Sequence, residues 1–124
     1  MKAKTIFTVL AAIHILIGLA LMGMAMNADE VLKQWISGPI ETDVLALITG
    51  QLRVVTVHSV GVGLIMLMAR GMTSTADAQR ILKGYCLFNG LVLLNAGYGA
   101  LLATPPPVPV IIMYIVGFGL AAYS

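Results

Sequence analysis

The residues predict an all-α integral membrane protein: an antiparallel four-transmembrane-helix bundle with a short interfacial helix between spans 1 and 2. Three observations lead there. The composition is 60% apolar and only 10% charged, where soluble domains run near roughly 45–50% and about 25%. The apolar residues gather into runs near the ~20 residues that a bilayer crossing needs. The few charges, Arg53 apart, sit between those runs or at their edges, and they are largely sorted by sign. The 124 residues suffice for one four-helix domain over the whole chain. A backbone in lipid must satisfy its own polar groups, so each run is read as a helix.

The first span covers about residues 5–25. Lys2 and Lys4 precede it, as in a signal peptide, but the run from Ile6 to Met26 is interrupted only by Thr8 and His14. It is too long for a signal core and lacks a small-residue cleavage site, so it reads as a retained span. Residues 27–39 follow. Ala28, Val31, Leu32, Trp35 and Ile36 fall at i, i+3, i+4, i+7 and i+8, one apolar stripe on a short helix. Asn27 is placed to cap it, Gly38-Pro39 to stop it, and Trp35 to anchor it flat at the headgroups or against the span ends.

The second span covers about residues 42–69. The connection from Arg70 to Lys83 opens on Gly-Met-Thr-Ser-Thr, a polar turn into a helix, with Ser74 or Thr75 as cap and Asp77 in the first turn. The third span covers about residues 84–103. Pro-Pro-Pro-Val-Pro at residues 105–109 is stiff, lacks most amide donors, and ends that helix sharply. Pro109 suits the first turn of the fourth span, about residues 108–123, which is short for a bilayer.

Orientation follows the positive charges. Lys2, Lys4, Arg70, Arg80 and Lys83 belong on one side. The first connection carries Asp29, Glu30, Glu41 and Asp43 against Lys33 alone. Both termini are therefore expected in the cytoplasm, in a multi-pass chain of the inner (plasma) membrane. Net charge of +2 is too small and scattered for nucleic acid. The lone Cys86 makes no internal disulfide and reads as a small apolar residue.

Polar groups inside spans are the candidates for function. At about 1.5 Å of rise per residue, His14, His58, Asn95 and Tyr114 each fall roughly 14–16 Å from a span end. Each span thus supplies one polar group near the midplane. Three readings stand open: interhelical hydrogen bonds that hold register, a small-ligand site such as one for a quinone headgroup, or a b-type haem on His14 and His58. Gly18 and Gly61, each about one turn from a histidine, would relieve crowding against a macrocycle. No other metal set is indicated. Arg53 lies near the outer edge of span two, within snorkelling reach, and its expected role is an ion pair with Asp29, Glu30, Glu41 or Asp43. Ala96/Ala100 and Gly117/Ala121 are small pairs four apart, marking close helix approach. The eight methionines, with Met22, Met24 and Met26 alternating, lie on different helix faces and suit flexible packing rather than a copper relay.

No span holds an interior Asp or Glu, which a proton-coupled exporter needs. There is no His-Glu-x-x-His, cysteine cluster or phosphate loop, and no nucleophile with a base beside it, so catalysis is disfavoured. The length, the stretch at residues 53–63 (Arg-Val-Val-Thr-Val-His-Ser-Val-Gly-Val-Gly) and a Gly-rich third span resemble the small four-span DoxX-like bacterial membrane proteins. That resemblance implies a four-helix bundle and no particular catalytic residue. Small multidrug exporters share the size but carry an acidic residue where this chain has His14. The expected function is a noncatalytic accessory or assembly subunit of a larger membrane complex, respiratory or photosynthetic, with the lipid bilayer and other membrane subunits as partners. The alternatives are a haem b- or quinone-binding electron-transfer module using His14 and His58, and a small transporter or channel.

Overall fold

A computed structural model describes residues 2–33, 38–101 and 108–123, with the backbone alone at residues 99, 100 and 109. The described residues form five helices: α1 (Ala3–Met26), α2 (Ala28–Lys33), α3 (Thr42–Ala69), α4 (Thr75–Leu101) and α5 (Val108–Ala122). No strand occurs among them. Two helices, α1 and α3, are long and apolar enough to cross a membrane. At 15 residues α5 is short for a crossing. The polar first turns of α4, and Tyr85, Asn89, Asn95 and Tyr98 farther along, dilute its apolar content.

The helices pack as two antiparallel pairs, α1 with α3 and α4 with α5, and α1 also touches α5 and α4. Although a short turn joins α3 to α4, these two make no extended contact. The pairing follows from where the buried residues fall. On α1 they include Phe7, Ala11, His14, Gly18, Leu21 and Ala25, spaced alternately four and three. On α3 they include Thr56, Ser59, Gly63 and Met66, with half-buried Leu45, Thr49 and Leu52 continuing the same 4-3 rhythm. Ala78, Leu82, Tyr85 and Asn89 repeat it on α4, while on α5 Val110, Met113, Gly117 and Ala121 are spaced three, four and four. A stripe of this period keeps one seam against a neighbouring helix.

Two apolar clusters result. One joins Ile6, Phe7, Leu10 and Ala11 to Met66, Ala69, Ala78, Leu82, Tyr85 and Ala121. It gathers the start of α1, the α3–α4 turn and the end of α5 at one end of the bundle, so Lys2, Lys4, Arg70, Arg80 and Lys83 share that end. The other joins Leu21, Val110, Met113 and Tyr114 toward the acidic connection. Outside the seams, large side chains stay exposed on every long helix, among them Leu16 and Leu19, Val54 and Val57, Leu87 and Leu91, and Ile112 and Ile115.

The helix that contains the third span begins where the cap at Ser74 or Thr75 predicts, ahead of the apolar run that opens at Gly84. It runs unbroken from Thr75, because Ser74 Oγ accepts the Asp77 N–H at 3.3 Å and Arg80 pairs with Asp77 at 3.3 Å, which starts a stable first turn. Asn27 does not cap α2. Its amide donates back to the Gly23 carbonyl at 3.0 Å, closing the last turn of α1 instead. Helix α2 has six residues, buries Ala28 and Leu32, and carries a Lys33–Asp29 ion pair. Trp35, Ile36 and most of the proline stretch lie outside the described residues. So does the Ala100 side chain, leaving only Ala96 of that small pair described.

Candidate functional site

Among the described residues, the fully buried polar side chains other than tyrosine are His14, Thr56, Ser59 and Asn89. All lie between the two apolar clusters. Close helix approach puts them there. A β-carbon at Gly63 would stand 2.6 Å from Ile15 Cγ1 and 3.1 Å from the Ala11 carbonyl oxygen. One at Gly18 would stand 2.7 Å from Val60 Cγ2 and 3.2 Å from the Val60 amide nitrogen. Only glycine lets α1 and α3 meet this closely, and His14 and Ser59 sit between those two contacts.

The hydrogen bonds then have one consistent ordering. The Ser59 hydroxyl donates to the His14 backbone carbonyl at 2.9 Å, so its lone pairs face the His14 ring, whose Nδ1 lies 3.4 Å away. On that ordering we assign the ring proton to Nδ1, which donates to Ser59. That leaves Nε2 as an acceptor, and the Tyr85 hydroxyl, on α4, donates to it. Met113 Sδ, on α5, lies 3.6 Å from Ser59 Oγ. One histidine thus ties α1 to α3 through one nitrogen and to α4 through the other. The Tyr85 ring fits because α5 offers Gly117, where a β-carbon would meet the Tyr85 hydroxyl at 2.5 Å. Tyr114 closes the layer edge-on, 6.4 Å from the His14 ring and 6.2 Å from Phe88 between centroids.

Of the four midplane residues expected from sequence, the structure brings His14 and Tyr114 together and leaves His58 and Asn95 exposed. Adjacent helical residues point about 100° apart. Ser59 takes the α1-facing position, so His58 turns away and rests on Phe88 at 5.3 Å. The pattern that could have revealed Ser59 is Ser59-x-x-x-Gly63, a small pair four apart. Tyr85 went unnoticed because depth was counted from Gly84. Counted from Thr75 it lies about 15 Å along its helix, level with His14 at about 16 Å.

A haem held by His14 and His58 does not fit. Both His14 nitrogens are occupied, and α1 and α3 touch backbone to side chain where a macrocycle would enter. Among the described residues no group of three or more His, Cys, Asp or Glu could hold a metal ion. Arg53 is exposed and makes no ion pair there, the pairs being Lys33–Asp29 and Arg80–Asp77. An apolar groove of about 330 Å³ between α1, α3 and α5 is lined by Leu21, Leu47, Leu52, Val55 and Val110, among others, and presents no polar group.

Two buried atoms, Thr56 Oγ1 and Asn89 Oδ1, have no hydrogen-bond partner among the described residues. The Asn89 amide nitrogen donates to the Tyr85 carbonyl at 3.1 Å. A buried hydroxyl without a partner costs about 1–3 kcal/mol. Thr56→Val, which keeps the shape and removes the hydroxyl, is therefore expected to leave stability unchanged or raise it by about 1 kcal/mol, measured by denaturant titration in detergent.

Among the described residues, fold and site define an all-helical protein in which a buried His–Tyr–Ser latch joins the two helices long and apolar enough to cross a membrane, α1 and α3, to each other and to α4. Comparison with protein-family models, curated proteins and solved structures found no match.

Proposed function

We propose that the chain is a four-span protein of the inner membrane and serves as a noncatalytic accessory or assembly subunit of a larger membrane complex, respiratory or photosynthetic. One observation carries this reading. The buried polar groups that make bonds across the interior hold helix to helix, while every long helix turns large apolar side chains outward. Such a molecule has its chemistry invested in its own cohesion and its surface suited to lipid and to other apolar helices. The shortness of α5 and the asparagines of α4 are compatible with spans that pack against α1 and against each other.

The charge distribution supports cytoplasmic termini. Five of the seven Lys and Arg residues gather at the end that holds both termini, and four of the five acids lie in the opposite connection or at its edges. In a Cys86→Ser background, a membrane-impermeant maleimide applied to intact cells is expected to label Lys33→Cys and to spare Arg80→Cys until the membrane is opened. Labelling of both from one side overturns the topology. After gentle solubilisation the chain is expected to co-migrate with other polypeptides on native gels. Migration alone, or with copies of itself only, overturns the accessory role.

A further inference from the structure

Helix α3 carries a second stripe that the fold does not use. Gly50, Val54, Val57, Gly61, Leu64 and Met68 are spaced 4-3-4-3-4, the a and d positions of successive heptads. Each lies one or two residues beyond a member of the α1-facing seam (Leu45, Thr49, Leu52, Thr56, Ser59, Gly63 and Met66), so the two stripes occupy roughly opposite sides of the helix. The outer stripe is open: Val54 is 65% exposed, Val57 70% and Met68 80%. Nothing lies within 4 Å of where a β-carbon would stand at Gly50 or Gly61. From Gly50 to Met68 it spans about 27 Å, close to the ~30 Å hydrocarbon thickness.

We infer that this outer seam is where α3 of a second copy docks, giving a parallel, two-fold symmetric dimer in the membrane. The inference rests on the membrane-spanning reading. The sorted charges insert every copy the same way up, so two copies meet with their α3 helices parallel. The seam is then self-complementary, as a two-fold interface must be. Each a and d layer meets its own apolar equivalent, and Gly61 allows close approach near the centre.

The flanking positions favour a second copy as well. In a parallel heptad pair, a g residue of one helix faces the e residue five places on in its partner. With Val54 at a and Val57 at d, Arg53 is g and His58 is e, five apart. Val60 and Ile65, the next such pair, are apolar. Arg53 has no acidic partner among the described residues. In the dimer its guanidinium donates to the imidazole of the other copy's His58, whose ring is backed by Phe88 on its own α4. Arg53, Val54, Val57 and His58 together line a shallow groove of about 450 Å³, the hole that receives a facing knob.

The test uses purified full-length protein in liposomes, in the Cys86→Ser background. Oxidation is expected to yield disulfide-linked dimer from Val57→Cys and Leu64→Cys, and none from Leu19→Cys on α1 or Leu94→Cys on α4, which are exposed elsewhere. Gly61→Leu adds bulk only outside the bundle, so the monomer stays folded by circular dichroism while the dimer fraction, read by energy transfer between labelled copies, falls at least about fivefold. Arg53→Ala and His58→Ala should each lower it, and the double variant should be no worse than the weaker single. Crosslinking confined to the α1 and α4 controls, a dimer indifferent to Gly61→Leu, or a monomer at every protein-to-lipid ratio overturns the proposal. Each arm is independent of whether native membranes hold other subunits, so its failure is distinct from failure of the accessory role.

Discussion

Gly63→Leu is expected to separate α1 from α3 and to cost on the order of 4 kcal/mol, more than the ~1–3 kcal/mol usual for overpacking. At this site even the first added carbon has nowhere to go. It would stand 2.6 Å from Ile15 Cγ1, 3.1 Å from the Ala11 carbonyl oxygen and 3.2 Å from the Ile15 amide nitrogen. The isoleucine side chain can rotate, but the two backbone atoms belong to a hydrogen-bonded helix and cannot. The helices must move apart, and parting them also stretches the Ser59–His14 bond one turn away. Gly63→Ala should already cost about 1–3 kcal/mol, against the ~1 kcal/mol that alanine gains over glycine in a helix interior. Gly61→Leu is the control. It lies two residues away with open space around it and should change monomer stability by less than about 0.5 kcal/mol. Unfolding of detergent-solubilised protein by SDS titration measures both. Equal losses at positions 61 and 63 would contradict the close α1–α3 packing.

His14→Leu is expected to cost about 2–3 kcal/mol, and Tyr85→Phe about 1–2 kcal/mol, because each strands a buried partner. With leucine at position 14, the buried Tyr85 hydroxyl loses its His14 acceptor, and Ser59 loses its Nδ1–H donor. With phenylalanine at position 85, Nε2 of a histidine that is 0% exposed is left without a donor. Removing both partners together removes the stranded groups. The double variant should therefore lie no more than about 0.5 kcal/mol below His14→Leu alone, with a coupling energy of about 1–2 kcal/mol in the mutant cycle. Bonds of this kind inside membranes average about 0.6 kcal/mol and reach about 1.7, so the upper end is expected for a group shared by three helices. Strict additivity would mean that the His14–Tyr85 bond is not formed. Nitrogen NMR of the ring gives a second check, since the ordering derived above requires the proton on Nδ1 and a bare Nε2.

Helix α3 shows how much of the architecture can be read from residues alone. Its limits, residues 42–69, agree with expectation, because Gly38-Pro39 before it and the Arg70-Gly71 turn after it punctuate an otherwise unbroken apolar run. The limits of α1 and α5 agree within two residues at each end for the same reason. The start of α4 at Thr75 agrees with the cap read at Ser74 or Thr75 and the Asp77 of its first turn, nine residues ahead of where the apolar run opens at Gly84. Its first turns are polar, so an apolar run locates where the helix becomes greasy rather than where it begins. Tyr85 stands at the edge of that apolar run, yet counted along the whole helix from Thr75 it lies level with His14.

Composition, run length and the sorting of charge determined that this chain is built of apolar helices, where most of them start and stop, and that polar residues cluster halfway along. These properties are sums along each helix axis, and a one-dimensional string contains them. Which polar residue faces inward is a matter of rotation about that axis. Ser59 and His58 differ by a single position and by about 100°. The fit of Gly18 against Val60 and of Gly63 against Ala11 and Ile15 sets that rotation, sends Ser59 to His14 and turns His58 outward. Only tertiary contact between α1 and α3 could decide it, because the energy of that fit depends on atoms more than forty residues apart in the chain.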